Sequence, residues 1–180
     1  MKPLNLINYF NVTFLYKSIE DIEDNDLFTL YDYDRFPRKM IKKENIEFDF
    51  STIKDKCILT NKQTIDINEN ISKIAFSGCS LMFSNQDKVK IIYEDKSYEY
   101  KYIKFADYRW SMQRSIHWMF KNQKKEYKDY LNVLMEDYNY ELDVLNFIYY
   151  YVIEVNPTKK IQSITLPNNE LILIFTITLL

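Results

Sequence analysis

Glycine is almost missing from this chain: among 180 residues it occurs once, as Gly78. A phosphate-binding loop needs several glycines to let its backbone approach the phosphates, so that class of nucleotide site is excluded. Turns between strands often need a positive φ, which glycine adopts most easily and asparagine tolerates best among the other residues. We therefore expect asparagines to serve at the turns, namely Asn68, Asn70, Asn168 and Asn169.

Residues that carry covalent or metal chemistry are also scarce. Two cysteines, Cys57 and Cys79, are too few for a disulfide framework, and the single histidine, His117, cannot complete a four-ligand zinc site with them. Cys79 follows Gly78 in an apolar stretch and is interpreted as a small core residue rather than a nucleophile. The Gly-x-Ser-x-Gly motif of serine hydrolases is absent. The sequence therefore predicts no catalytic residue, no metal and no cofactor, and we expect a protein that is not an enzyme.

Two acidic groups leave a cation site open as an alternative. The stretch 21–26 holds four carboxylates, but its spacing is not that of an EF-hand and no turn glycine follows, which favours a solvated loop. Asp32 and Asp34 lie two residues apart and would share one face of a strand. Their position before Pro37 is more typical of a polar turn.

Neither one sign of charge nor a long apolar run dominates the chain. It has 24 basic and 26 acidic residues and a net charge of −2, which does not favour nucleic acid as a partner. A spanning helix needs about 20 apolar residues, and the apolar tail 171–180 is far shorter. The first ten residues contain one lysine, and no small-residue cleavage site follows, so an export signal is not indicated. We expect a cytoplasmic protein with reduced thiols that binds neither nucleic acid nor membrane.

Aromatic residues are abundant, at 17% of the chain, and they favour strands. Every second residue from Tyr98 to Tyr102 is a tyrosine, which predicts a half-buried antiparallel strand with one face in water. Asp95 and Lys96 precede it and predict a tight hairpin turn. Short segments of this kind follow one another through the middle of the chain and predict an all-β fold.

The carboxyl-terminal stretch KKIQSITLPNNELILIFTITLL predicts two further strands. Residues 161–166 alternate, Pro167 and the two asparagines after it are typical of a turn, and the last ten residues are buried for most of their length. The two strands form either a hairpin or a pair within a sandwich.

One segment breaks the strand pattern. Tyr127, Leu131, Leu134 and Tyr138 fall at helical spacing in a stretch without glycine or proline. We therefore predict a helical insertion near 121–138 in an otherwise β fold.

The tail also resembles a known family. NFIYYYVIEVNPTKKIQSITLPNNELILIFTITL is similar to the closing strands of galactose-binding-like jelly-roll modules that accompany bacterial glycoside hydrolases of the mannosidase type. CILTNKQTIDINENISKIAFSGCSL and IIYEDKSYEYKYIKFADYRW resemble the central strands of that family. The resemblance implies one antiparallel β-sandwich domain over residues 1–180 and a non-catalytic, carbohydrate-binding role. The tail residues that carry it are Tyr149, Tyr151, Lys159, Ile161, Ile164, Leu166, Pro167, Ile174, Phe175, Ile177 and Thr178.

A candidate binding site lies in the stretch ADYRWSMQRSIHWMF. Aromatic rings beside polar groups are typical of sugar sites, because the rings stack on a sugar while arginine or aspartate binds its hydroxyls. The same tryptophans are also explained as core residues that pack the predicted helix onto the sandwich, which is favoured because an amphipathic helix must bury its apolar face. The candidate site residues are Asp107, Arg109, Trp110, His117 and Trp118.

Two functions remain open from the sequence. The first is a free-standing module that binds a carbohydrate or another ligand without catalysis. The second is an intracellular interaction or structural protein that keeps the sandwich without sugar binding and associates with a protein partner or with itself. The absent export signal and the unusual segment 111–145 favour the second.

Overall fold

The computed structural model describes residues 1–16, 31–32, 34–82, 84–107, 109–111, 132–139 and 144–180. Within these ranges the chain is all-β, with one short 3-10 helix at Ile7–Tyr9 and no α-helix. The strands, in chain order, are β1 Lys2–Pro3, β2 Val12–Thr13, β3 Leu15–Tyr16, β4 Tyr31–Asp32, β5 Met40–Lys43, β6 Ile46–Asp49, β7 Lys56–Asn61, β8 Thr64–Glu69, β9 Lys73–Ser80, β10 Asn85–Tyr93, β11 Tyr98–Phe105, β12 Arg109–Ser111, β13 Val133–Asn139, β14 Val144–Glu154, β15 Ile161–Thr165 and β16 Asn168–Leu179.

Two antiparallel sheets contain most of these strands. The large sheet has the order β12-β14-β9-β16-β7-β2, with β1 added beside β16 and β13 beside β14. The small sheet has the order β11-β10-β15-β8. Two short ladders, the parallel pair β3-β4 and the hairpin β5-β6, complete the described part. This arrangement is consistent with a β-sandwich, as the sequence predicts.

Gly78, the only glycine of the chain, lies where the large sheet packs against the small one. Gly78 lies in β9 of the large sheet, and a Cβ atom placed on it would come within 3.1 Å of the Phe105 ring in the small sheet. The same atom would lie 2.2 Å from the backbone oxygen of Leu173, where β16 bulges next to β9. Any side chain is excluded here by this close approach, and no positive φ is involved.

The second face of the large sheet is covered by the amino-terminal part of the chain. Phe175 of β16 is 1% exposed and packs against four other rings, with its centroid 4.9 Å from that of Phe14. Because the covering rings are themselves buried, the large sheet is enclosed on both sides. The other rings around Phe175 are Tyr31, Phe36 and Phe50.

Burial along the strands follows from this layering. The strand β9 is buried on both faces from Ile74 to Ser80, and β16 is buried from Ile172 onwards. Both read as nearly continuous apolar or small residues, as expected for a strand covered on two sides. In contrast, β10 and β11 alternate between buried and exposed residues, which is typical of a sheet with one face in water.

The carboxyl-terminal stretch divides between the sheets. The strand β15 lies in the small sheet, and β16 lies in the middle of the large sheet, between β9 and β7. The prediction of two strands is confirmed, and they belong to a sandwich rather than to a hairpin. Among the helices of the described ranges, none has the length and apolar character needed to cross a membrane.

The predicted helix near 121–138 is wrong over its last part. Residues 133–138 lie in β13, which pairs antiparallel with β14 from Tyr149 to Val144, while residues 121–131 fall outside the described ranges. Leu134 and Tyr138 are four residues apart, a spacing that fits a strand as well as a helix, because residues an even number of positions apart share one face of a strand. Pairing with β14 and burial of Leu134 outweigh the local preference.

Among the described residues, positive φ values occur at five that are not glycine. Of the four asparagines expected at such positions, only Asn68 has one, at 56°. Lys96 has φ 68° in the β10–β11 turn, which confirms the predicted hairpin. The remaining three are Glu44, Asn45 and Lys62.

Candidate functional site

The structure places part of the candidate site predicted from the sequence. Asp107 lies where the chain passes from β11 in the small sheet to β12 in the large one. Arg109 and Trp110 lie in β12, in register with Asn146 and Leu145 of β14. His117 and Trp118 are outside the described residues, so the grouping of the five remains a prediction.

Asp107 is held by backbone contacts. It forms a parallel bridge with Ser80, and its carbonyl oxygen accepts a hydrogen bond of 3.1 Å from the Tyr149 hydroxyl. The residue is half-buried. These contacts fix the position where the chain changes sheets, which is a structural role that does not depend on a ligand.

A second surface is displayed on the outward side of the small sheet. Tyr98, Tyr100 and Tyr102 point away from the large sheet and are 59%, 54% and 49% exposed. On the neighbouring strand, Lys90 lies opposite Tyr100 and Lys88 lies opposite Tyr102. We call these five residues the tyrosine–lysine face. With a rise of about 3.3 Å per residue, the tyrosine row is about 13 Å long.

The rings and ammonium groups of this face are interleaved. The Lys90 Nζ atom lies 4.5 Å from the Tyr98 ring centroid, and the Lys88 Nζ atom lies 5.4 Å from that of Tyr102. Both distances are within the range of cation–π attraction. The Tyr98 and Tyr100 rings are 5.7 Å apart at 76°, so the row is ridged rather than flat.

The charge of this face differs from that of the whole protein. The outward side of β10 and β11 carries Lys88, Lys90 and Lys104 and no carboxylate, although the chain has a net charge of −2. Neither Lys88 nor Lys90 forms an ion pair with a carboxylate of the described residues. The first outward carboxylate along the sheet is Asp66 on β8, two strands from β10 and therefore about 10 Å away.

A cleft of about 370 Å³ adjoins the tyrosine–lysine face. It runs between the edge of β11 and the strand β14, and Tyr102 belongs to both the cleft and the face. Its wall contains Lys101 and Lys104 from one strand and Tyr151 and Glu154 from the other. The cleft extends the exposed surface from the outward side of the small sheet to the edge of the sandwich.

The far end of the face is fixed by the β10–β11 turn. Lys159 donates a hydrogen bond of 2.8 Å to Asp95 and another of 2.7 Å to the Ser97 hydroxyl. The bonds from Lys159 and Ser97 lower the pKa of Asp95 to about 2. Glu94 is paired with Lys160 at 3.2 Å, so both carboxylates of the turn are neutralised locally. They do not offset the positive charge of Lys88 and Lys90.

A second network supports the turn from inside. Burial, followed by hydrogen bonding to Glu99, raises the pKa of Tyr93 to about 12, and the Tyr93 hydroxyl accepts a hydrogen bond of 3.1 Å from the Asn156 N–H. Burial opposes ionisation of Glu99, but hydrogen bonds from Tyr93 and Lys101 outweigh it and lower the pKa of that carboxyl. These pKa shifts arise from burial and from hydrogen bonds within the protein, in which Tyr93 and Glu99 are partners of each other.

The cysteines take no part in an exposed site. Cys57 and Cys79 are free and completely buried, and burial raises the pKa of both thiols. Neither is therefore available as a thiolate nucleophile at neutral pH. In the parts of the chain that are described, no three His, Cys, Asp or Glu residues lie close enough together to hold a metal ion. The acidic stretch 21–26 falls outside those parts.

The sequence predicts only part of the tyrosine–lysine face. The alternation from Tyr98 to Tyr102 predicts one wet face, and the structure assigns that face to the tyrosines. The sequence contains the information for this assignment, because the apolar residues Ile103 and Phe105 occupy the alternate positions of the strand and must face the core. The pairing of β11 with Lys88 and Lys90 also depends on hairpin register, which the predicted Asp95-Lys96 turn fixes.

Comparison with known proteins gives no relative from which a function can be transferred: no protein-family model matches this chain, and no curated protein shows significant similarity to it.

Proposed function

We propose that this protein is a non-catalytic module of the β-sandwich class that binds a carbohydrate through the tyrosine–lysine face. The observation that carries the proposal is the row of three exposed tyrosines on one side of the small sheet. Their rings supply apolar faces for the C–H groups of a sugar ring, and their hydroxyls supply donors and acceptors for its hydroxyls.

The finer assignment to a jelly roll of the galactose-binding-like type belongs to the same proposal. It is supported by the closing strands quoted above and by the way the chain alternates between sheets. From β7 to β10 each successive strand changes sheet, and β15 and β16 do so again. Residence in the cytoplasm is also part of the proposal, and the two free thiols fit a reducing compartment.

A glycan array probed with the intact protein tests the proposal, with light scattering to establish the oligomeric state. We expect binding to at least one class of oligosaccharide or polysaccharide by the monomer. Replacing Tyr98, Tyr100 and Tyr102 together by threonine removes the rings but keeps a high preference for strands, because threonine is β-branched. We expect this variant to lose glycan binding while remaining folded.

A second variant distinguishes the two surfaces. Trp110→Ala combined with Trp118→Ala alters the site predicted from the sequence and leaves the tyrosine row intact. If glycan binding survives the tryptophan changes and is lost with the tyrosines, the ligand contacts the tyrosine–lysine face. The opposite pattern would move the site to the segment 107–118 and contradict the proposal.

The second candidate is a protein-interaction or structural role, and one observation favours it. Exposed tyrosines with unpaired lysines beside them are also typical of protein interfaces, where tyrosine is enriched. A chain of this kind would bind no glycan and would form a stable oligomer or a complex with a partner. The array and the light-scattering measurement therefore separate the two functions.

A further inference from the structure

We infer that the ligand of the tyrosine–lysine face is an acidic carbohydrate chain, one that carries a carboxylate on its sugar units. The inference deepens the proposed function and depends on it, since it names the class of carbohydrate. It follows from three observations on the outward side of β10 and β11: its charge, the position of its ammonium groups and the shape of its aromatic row.

The charge is the first observation. Lys88 and Lys90 stand on alternate positions of one strand, about 6.6 Å apart, and neither is neutralised by a carboxylate of the described residues. In a protein with a net charge of −2, this is a local positive surface that attracts an anion. A neutral sugar would form no ion pair with these ammonium groups.

The position of the ammonium groups is the second observation. Cation–π contacts keep the Lys88 and Lys90 Nζ atoms among the tyrosine rings, 5.4 Å from the Tyr102 centroid and 4.5 Å from the Tyr98 centroid. A carboxylate on a sugar that contacts these rings therefore meets an ammonium group already in place. Because little side-chain motion has to be frozen on binding, the contact costs less conformational entropy.

The shape of the row argues against nucleobases as the ligand. A base stacks on a free, flat ring face, whereas here Lys90 lies over the Tyr98 ring and the Tyr98 and Tyr100 rings meet edge to face. A base would have to displace the ammonium group from the ring. A carboxylated sugar instead pairs with that ammonium group, while its C–H groups pack on the ring faces that the lysines leave open and its hydroxyls bond to the tyrosine hydroxyls.

The test compares two polysaccharides with the same backbone. Polygalacturonate carries a carboxylate on every unit, and its methyl-esterified form has the same sugars without the charge. We expect the full chain to bind the acidic form at least about tenfold more tightly, with a preference that shrinks as salt is raised. Lys88→Ala combined with Lys90→Ala should remove most of that preference, while Lys88→Arg with Lys90→Arg should retain it.

The matched control removes the same charge elsewhere. Lys42 and Lys43 are exposed lysines on β5, in the amino-terminal layer on the opposite side of the large sheet. Lys42→Ala with Lys43→Ala should leave binding of both polysaccharides unchanged. An equal loss in this control would mean that overall charge, rather than the face, drives binding, and would overturn the inference.

Each remaining outcome has one meaning. Equal binding of the acidic and esterified forms would overturn the inference and leave the proposed carbohydrate function standing. Binding of neither polysaccharide, together with no hit on the glycan array, would overturn the proposed function itself. Tight binding of a single-stranded oligonucleotide without any glycan binding would contradict both and identify the face as a nucleic-acid surface.

Discussion

Two aromatic groups lie on opposite sides of this molecule, and their surroundings are opposite as well. Phe175 and the four rings around it come from different parts of the chain, pack with centroids 4.8–6.4 Å from another ring of the group and are almost fully buried. On the small sheet, Tyr98, Tyr100 and Tyr102 follow one strand, have lysines between them and are about half exposed.

The difference shows what each group does. Burial of large rings removes apolar area from water and holds the amino-terminal segment on the large sheet. The tyrosines of the small sheet gain little from burial, so stability does not explain three of them in one row. Their exposure and their cationic neighbours fit a surface that contacts another molecule.

The largest expected effect is on the buried group. Phe175→Ala removes the ring that the other four contact, and we expect a loss of about 3–5 kcal/mol in the free energy of unfolding. Urea denaturation followed by tyrosine or tryptophan fluorescence measures it. Tyr100→Thr, the exposed counterpart, should change the same quantity by less than about 1 kcal/mol. Similar losses for both variants would remove the contrast between the two groups.

The next effect concerns Gly78, where β9 lies close to the backbone of β16 in the same sheet and to the Phe105 ring of the small sheet. Gly78→Ala would bring a methyl group to 2.2 Å from the Leu173 backbone oxygen, so β9 and β16 must separate. We expect a loss of about 3 kcal/mol, measured by thermal or urea unfolding. Adding Phe105→Leu relieves only the 3.1 Å ring contact and should not restore stability. Restoration by that second change would show that the ring, not the backbone, excludes a side chain.

The smallest effect tests the turn that ends the tyrosine–lysine face. The Asp95 pKa lies below its ordinary value of 3.8, so its contacts stabilise the fold above pH about 4, and this contribution is lost as the pH falls towards 2. Lys159→Ala should move the Asp95 pKa back towards 3.8. A carboxyl titration followed by NMR measures the shift.

The neighbouring pair supplies the control for that titration. Lys160→Ala removes the partner of Glu94 and should leave the Asp95 pKa near 2. An Asp95 pKa that stays low in Lys159→Ala, or rises equally in both variants, would contradict the assignment of Lys159 as its main partner.

Much of the fold follows from local patterns, and the remainder depends on distant partners. Alternation in β11 and the nearly continuous apolar run of β16 predict an outer and an inner strand, and the structure has both. The prediction of a helix as far as residue 138 is wrong because residues 133–138 form a strand by pairing with β14. The spacing of apolar residues along the chain does not reveal that pairing. Left-handed backbone conformations occur at Glu44, Lys62 and Lys96, because the geometry of these turns outweighs the preference of such positions for glycine or asparagine.

The site was less predictable than the fold. The stretch 106–120 predicts a site from its sequence because it combines tryptophans with polar groups, whereas tyrosines in a strand look like ordinary sheet residues. Exposure and the cross-strand position of Lys88 and Lys90 distinguish the tyrosines, and both depend on the assembled sheet. Asp107 has a backbone role at the crossing between sheets, which sequence alone does not show.

Stability and binding measured on the same variant distinguish most sharply between a ligand surface and a structural role for the tyrosine row. Tyr98→Thr, Tyr100→Thr and Tyr102→Thr are introduced together, and urea unfolding is followed in parallel with titration by polygalacturonate. We expect a change in unfolding free energy of about 1 kcal/mol or less and a loss of binding of about tenfold or more. Unchanged binding, or a variant that no longer folds, would contradict the claim that these rings serve a ligand rather than the core.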